Sequence, residues 1–197
     1  MTSADLGTWA PCPLEVVIEL FAAAPFRWWI GGGLALELHV QRGWREHHDV
    51  DVGVARRDLP ALGTHLAGWD LQVASRGTLT PWRGEPLDAE RHQNNIWCRR
   101  APSGPWELDV TVGDGSALRW IYRRDPRVQV PWETAVRRTA DGVPYLAPQL
   151  QLLSKSTTRR PKDDLDAAEV IPLLDEPERE FLASVLPSGH PWQRLLA

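Results

Sequence analysis

Residues 28–36, Trp28-Trp29-Ile30-Gly31-Gly32-Gly33-Leu34-Ala35-Leu36, and residues 49–54, Asp49-Val50-Asp51-Val52-Gly53-Val54, decide how this chain is read. In the first stretch an apolar run, Phe26 to Ile30, stops at three glycines and resumes as Leu34-Ala35-Leu36-Glu37-Leu38-His39-Val40. That pattern predicts a short buried strand, a glycine turn and a helix. The second stretch alternates strictly, so Val50, Val52 and Val54 share one face of a strand and both aspartates share the other.

Two carboxylates placed side by side repel unless a cation lies between them. Mg²⁺ meets that need with one or two carboxylates, because it takes hard oxygen ligands and keeps waters and phosphate oxygens in its shell. Two such ions can clamp the attacking and leaving oxygens of an in-line displacement. The glycine turn is the complementary half: backbone N–H groups can approach a phosphate there, and the following helix N-terminus favours negative charge. Taken singly, three glycines are often only a tight turn, and an Asp-x-Asp pair is often a solvated strand edge. Their combination is what carries information.

Outward from this centre, Leu14, Val17, Ile18 and Phe21 have helical spacing behind Pro13, and Pro25 stops that helix. Asp58 reads as a helix cap with Leu59, Leu62 and Leu66 inward, before a strand from Trp69 to Ser75. Residues 76–94 are rich in Gly, Pro and charge and are expected to be mostly irregular. Strands are expected at 95–100 and 106–112, joined by the turn residues Ala101-Pro102-Ser103-Gly104-Pro105. On the second of these, Glu107, Asp109 and Thr111 share a polar face, so a third carboxylate lies on another strand. From Pro148 onward Leu150, Leu152, Leu153 and Lys155, then Ala167, Val170, Ile171 and Leu174, then Phe181, Leu182, Val185 and Leu186 give three helical stripes. The expected division is a core at residues 1–115 and a mainly helical part at residues 116–197 completing a cleft.

Composition narrows the classes. Among 197 residues, 43% hydrophobic and 24% charged are ordinary values for a globular chain, and a net charge of −4 argues against a protein that binds chiefly by neutralising nucleic acid. Residues 1–13 hold no Lys or Arg and no apolar run, no stretch reaches membrane-span length, and Cys12 and Cys98 have no metal-type spacing. A cytoplasmic protein with reduced thiols, monomeric or homodimeric, is expected. Most of the eleven tryptophans should pack in or beside the core, with one or two of Trp28, Trp29 and Trp97, or Tyr122, free to stack on a base.

The motifs Ile30-Gly31-Gly32-Gly33-Leu34-Ala35-Leu36 and Arg45-x-His47-x-Asp49-Val50-Asp51 resemble the nucleotidyltransferase superfamily that includes DNA polymerase beta. Within it they look most like the aminoglycoside 2″-adenylyltransferase and lincosamide nucleotidyltransferase branch. The resemblance implies an α/β (α+β) fold, a small mixed twisted β-sheet flanked by helices with a C-terminal helical part packed against it. It also implies that Gly32 and Gly33 contact a triphosphate, that Asp49 and Asp51 bind Mg²⁺, and that Asp109 is the third carboxylate, as metal ligand or as general base, with Glu107 as its fallback. Arg45 is then an ion-pair partner or a phosphate contact, and His47 orients the loop rather than joining a zinc site. The run Lys155-Ser156-Thr157-Thr158-Arg159-Arg160-Pro161-Lys162-Asp163-Asp164-Leu165-Asp166 is similar to the family as well, which puts Lys155 first and Lys162 second as the cation for the triphosphate. A solvated helix start is the plain alternative for Lys162 to Asp166.

The function this implies is transfer of a nucleoside monophosphate, AMP from ATP in the first instance, to a hydroxyl of an aminoglycoside- or lincosamide-like small molecule with release of pyrophosphate, served by two Mg²⁺ ions. Two other readings stay open. One is a toxin-type enzyme acting on RNA or protein through Arg119 to Arg127 and Arg159 to Lys162. The other is a catalytically silent nucleotide-binding regulator. Charge geography discriminates among acceptors: arginines at the cleft favour an anion, and carboxylates drawn from Asp88, Glu90, Glu107 or Asp114 favour a cation.

Overall fold

The computed structural model describes residues 6–196. Helix α1 (Leu14–Phe21) leads into β1 (Trp28–Ile30), α2 (Gly32–Val40) and β2 (Asp51–Ala55). Then come α3 (Leu59–His65), the hairpin β3 (Asp70–Ser75) and β4 (Thr78–Pro81), β5 (Asn95–Arg99) and β6 (Leu108–Gly115). Four short strands, β7 (Arg119–Ile121), β8 (Gln129–Pro131), β9 (Val136–Arg138) and β10 (Pro144–Leu146), surround the one-turn helix α4 (Trp132–Ala135). Helices α5 (Pro148–Ser156), α6 (Pro161–Val170), α7 (Glu176–Val185) and α8 (Gln193–Leu196) close the chain. None of the helices described is long and apolar enough to cross a membrane.

The sheet is mixed and runs β4-β3-β5-β6-β2-β1-β10-β9, with the β7–β8 hairpin extending from β6. The β2–β6 and β1–β10 pairs are parallel and the remaining neighbours antiparallel. A mixed twisted sheet with helices on it is the α/β (α+β) architecture expected. Several local expectations are corrected. Residues 78–81 form a strand where irregular chain was expected, because Thr78 to Pro81 pair with Ser75 to Gln72 around a left-handed turn at Arg76 and Gly77. Residues 119–146 hold four strands and one helical turn before the helices take over, and β10 enters the sheet beside β1. Strand β2 begins at Asp51, so Asp49 lies in the preceding loop and not on the strand. Asp58 precedes α3 but makes no capping bond.

The alternation of residues 50–54 sorts the two faces of the sheet. Val50, Val52 and Val54 join Val17, Phe21, Leu59 and Leu62 in one core cluster. On the opposite side Trp29, Leu36, Trp120, Trp132, Leu150, Leu153, Ala167 and Val170 form a second, which seats α5 and α6 against the sheet. Gly53 and Gly113 on that side are the floor beneath the Trp29 indole: a Cβ on Gly53 would collide with the ring, and one on Gly113 would come within 2.9 Å of it. Gly53→Ala should therefore destabilise the fold by about 1–3 kcal/mol through overpacking, read as a lower urea midpoint at unchanged m value.

Candidate active site

Parallel pairing of β2 with β6 puts Asp51 directly beside Asp109 in register, and adjacent strands lie only about 4.8 Å apart. The two carboxylates meet on the helical side of the sheet. Thr111 Oγ1 lies 3.4 Å from Asp51 Oδ1, and the Asn95 side-chain amide donates to Asp109 Oδ1 at 2.9 Å. Burial, and then the Asp49 charge, push the Asp51 carboxyl up to about 6. Burial, and then the Asp51 charge, push Asp109 up to about 8. Asp49, partly buried in its loop, is thus close enough for its charge to act on both.

The glycine turn closes on the same point. Gly31 N–H donates to the Asp51 carbonyl at 2.8 Å. Gly32 sits at φ +64°, and a Cβ there would run into the Asp51 carboxylate, so this position needs glycine twice over. Its N–H donates to Gln151 Oε1 of α5 at 3.0 Å. A cavity of about 310 Å³ opens here, lined by Gly31, Gly32 and Asp51 from the core and by Gln151, Lys155 and Arg160 from the helical part. Of Asp49, Asp51 and Asp109, only Asp51 is on its wall, and a wider depression of about 570 Å³ beside Arg27 and Trp132 holds none of the three.

The remaining sequence candidates are placed differently. Gly33 is not on the cavity wall: its Cα backs onto the Arg45 guanidinium and the His47 ring. Arg45 is turned away too, holding Asp166 through Nε at 2.8 Å and Nη2 at 3.0 Å. Lys155 lies at the cavity wall but is buried, and its Nζ is 3.1 Å from Asp163 and 2.9 Å from Asp166. Lys162 is partly buried outside the cavity lining, with its charge acting on Asp51. Glu107 pairs with Arg100 at 3.1 Å and donates nothing to the cavity. His47 has Nε2 at 3.0 Å from Glu37 and Nδ1 at 3.3 Å from Arg45, which fixes the loop entering β2.

Two residues of the run 155–166, read from sequence only as a solvated helix start, organise this region and are not solvated. Asp163 and Asp166 occupy positions i and i+3 of α6, on one face, and both are fully buried. Burial alone would raise the Asp163 carboxyl, but bonds from the Arg160 side chain and backbone and from Lys155 bring it down to about 2. Asp166 is likewise held low against its burial, by Arg45, Lys155 and Trp44. The signal was present as the Lys-Asp-x-x-Asp spacing; what hid it was that Trp44 and Arg45, which bond Asp166, are distant in sequence.

Among the described residues no group of three or more His, Cys, Asp or Glu is drawn together closely enough to hold a metal ion. The donor set nevertheless fits a hard divalent cation. Asp51 and Asp109 are buried like charges with raised proton affinity, which is the state two carboxylates adopt without a counter-ion, and a magnesium site asks for only one or two protein carboxylates.

Residues 13–78 match the family model described as aminoglycoside-2″-adenylyltransferase. The crystal structure of the lincosamide antibiotic adenylyltransferase LnuA with lincomycin bound is similar over 78% of this chain and 90% of that one, at 15% identity and a TM-score of 0.51, which establishes a shared fold. ANT(2″)-Ia in complex with adenylyl-2″-tobramycin covers 92% of this chain and 93% of its own, at 16% identity and a TM-score of 0.46. A search of curated protein sequences returns no match.

Proposed function

We propose that this chain is a member of the nucleotidyltransferase superfamily, in the branch of the aminoglycoside 2″-adenylyltransferase and lincosamide nucleotidyltransferase-like proteins that its residues 13–78 resemble, and that it transfers a nucleoside monophosphate, AMP first, from a nucleoside triphosphate to a hydroxyl of a small molecule. The observation that carries this reading is the register of Asp51 beside Asp109 on parallel strands, under a glycine turn whose Gly32 admits no side chain.

In this reading the acceptor oxygen attacks the α-phosphorus, the new P–O bond forms as the bond to the bridging oxygen breaks, and pyrophosphate leaves. Asp109, buried in register beside Asp51 with its proton affinity raised by burial, takes the hydroxyl proton. Mg²⁺, two ions in the fullest case, would be held by Asp49 and Asp51 with Asp109 adjoining, and supplies positive charge to the triphosphate while lowering the acceptor hydroxyl's pKa. Gly31 and Gly32 leave the backbone open to the phosphates. Lys155, buried against Asp163 and Asp166, and the more exposed Arg160, which also pairs with Asp163, both line the cavity and supply positive charge beside the triphosphate. Arg45 and Gly33 hold the loop and helix that shape the site.

The test is incubation of purified protein and Mg²⁺ with each α-labelled NTP across aminoglycosides, lincosamides, tRNA and protein. Label should move to a small molecule. In parallel, saturating Mg·NTP should stabilise the protein by about 2–3 kcal/mol at roughly a hundred times Kd, and no metal-dependent rise in Tm with any NTP would overturn nucleotide use.

A further inference from the structure

The cavity beside Asp51 draws positive charge from two places, and they differ in what already holds them. On the helical side Lys155 is paired with Asp163 and Asp166 at 3.1 and 2.9 Å, and Arg160 with Asp163 at 3.0 Å. On the connection between β7 and β8 stand Arg123 and Arg124, and among the described residues neither has a carboxylate partner. The partly buried Arg123 side chain makes no hydrogen bond there either, and burial, then the Arg124 charge, lower its proton affinity. Arg124 reaches only neutral oxygens, the Tyr122 hydroxyl at 3.5 Å and the Ser154 carbonyl at 3.3 Å. Asp114, which lines the cavity as well, is taken by Arg56 at 2.7 Å. Two guanidinium groups with open donor forks at a cavity wall fit an anion.

Helix α5 fixes where that anion lies. Its Gln151 side chain accepts from the Gly32 N–H at 3.0 Å. Its Leu153 carbonyl accepts from the Tyr122 hydroxyl at 3.3 Å, and its Ser154 carbonyl from Arg124. Gln151 and Ser154 are one turn apart, roughly 4.5 Å along the helix axis. The arginines therefore share the end of the cavity that holds the glycine turn and Asp51. Of the two arms that leave the α-phosphorus of a nucleoside triphosphate, the polyphosphate is anionic and the nucleoside is neutral, so charge decides which arm runs along residues 123–124.

We propose that Arg123 and Arg124 bind the β- and γ-phosphates of the nucleoside triphosphate, the part that departs as pyrophosphate. This rests on the nucleotidyltransferase reading above. As the acceptor oxygen bonds to the α-phosphorus, the electron pair of the breaking P–O bond stays on the bridging oxygen, and the two guanidinium groups meet the charge that grows there. Arginines without acids suit this task, because Lys155 and Arg160 would have to share their charge with Asp163 and Asp166.

The experiment measures equilibrium binding of Mg·ATP, AMP and Mg·tripolyphosphate to the full chain, together with the ligand-free Tm. It compares wild type, Arg123→Gln, Arg123→Gln/Arg124→Gln and Arg119→Gln, whose arginine is exposed on β7 outside the cavity. Arg123→Gln should weaken Mg·ATP and Mg·tripolyphosphate each by about tenfold or more, the size of one charge-assisted contact. AMP affinity should stay within about twofold, and Arg119→Gln should change none of the three. Because Arg123 gives up no partner when replaced, the ligand-free Tm of Arg123→Gln should equal or exceed that of the wild type, which a structural arginine would not allow. The double variant should lose more affinity than the single one, and Arg123→Gln alone decides the matter if the double variant does not fold. Unchanged tripolyphosphate affinity in Arg123→Gln, equal weakening of AMP and Mg·ATP, a lowered ligand-free Tm, or lost tRNA binding with Mg·ATP affinity intact would each overturn the assignment. If Arg123→Gln leaves Mg·NTP binding untouched, the transferase reading stands without it. A wild type that binds Mg·tripolyphosphate through Arg123 but no Mg·NTP would refute the transferase reading and leave the anion site standing, and one that binds neither would refute both.

Discussion

Asp51→Asn is expected to abolish nucleotidyl transfer, by about 10³-fold or more, and at the same time to make the metal-free protein more stable. The first effect follows from removing the central negative ligand of the acid set. The second follows from the same charge. Asp51 and Asp109 are each raised above the ordinary carboxyl value of 3.8, to about 6 and about 8. A carboxyl raised on folding holds its proton more tightly in the native state than in the unfolded one. Its penalty is therefore absent below about pH 4, accumulates as pH rises toward the folded values, and is complete above them. Wild-type stability without divalent metal should fall between about pH 4 and pH 8.

The asparagine variant loses one of the two repelling charges and keeps an amide oxygen for the bond with Thr111. It should be more stable than wild type by about 1–3 kcal/mol at pH 8, with little difference at pH 4. Adding Mg²⁺ at pH 8 should raise the Tm of the wild type and leave the variant's nearly unmoved. Equal metal-free stability of the two proteins at pH 8 would contradict the account of the pair.

The largest loss of stability is expected at Asp166, which is not on the cavity wall. Its carboxylate, fully buried, accepts from Arg45 Nε and Nη2 and from Trp44 Nε1 at 3.0 Å, and faces Lys155. Asp166→Asn leaves Arg45, itself only 13% exposed, without a carboxylate, and breaking one partner of a buried pair costs about 3–5 kcal/mol. Glu169→Gln on the same helix is the control: its pair with Arg42 is 54% and 31% exposed, and such surface pairs contribute under about 1 kcal/mol. Urea titrations of the three proteins check the contrast. Since Asp163 and Asp166 are both held below the usual carboxylate range, their contribution is present above about pH 4 and is lost as pH falls toward about 2.

Much of the fold around the candidate site was legible because it is local. The run from Trp28 through Leu36 and the alternation from Val50 to Val54 are each set by period and by glycine chemistry, and α1, β1, α2, β5, β6, α5 and α6 fall where those patterns place them. Asp49 departs from its expected place because alternation says which residues can share a face but not where pairing begins: β1 reaches only as far as Val52 opposite Ile30. The short strands from Arg119 to Leu146 were illegible for a related reason. Three residues are too few for a period, and they become strands only because β6, β1 and one another offer edges to pair with.

By itself, then, the amino-acid sequence determined that a glycine turn precedes two aspartates at one superfamily's spacing and that a third acid waits on another strand, because these are properties of residue order and strand period. Only the tertiary structure decided what those groups face. Parallel register brought Asp109 to Asp51 and left Glu107 with Arg100; the packing of α6 drew Arg45 onto Asp166; and the connection between β7 and β8 carried Arg123 and Arg124 to the cavity wall. Charges find partners through space, and no local pattern encodes a partner more than a hundred residues away.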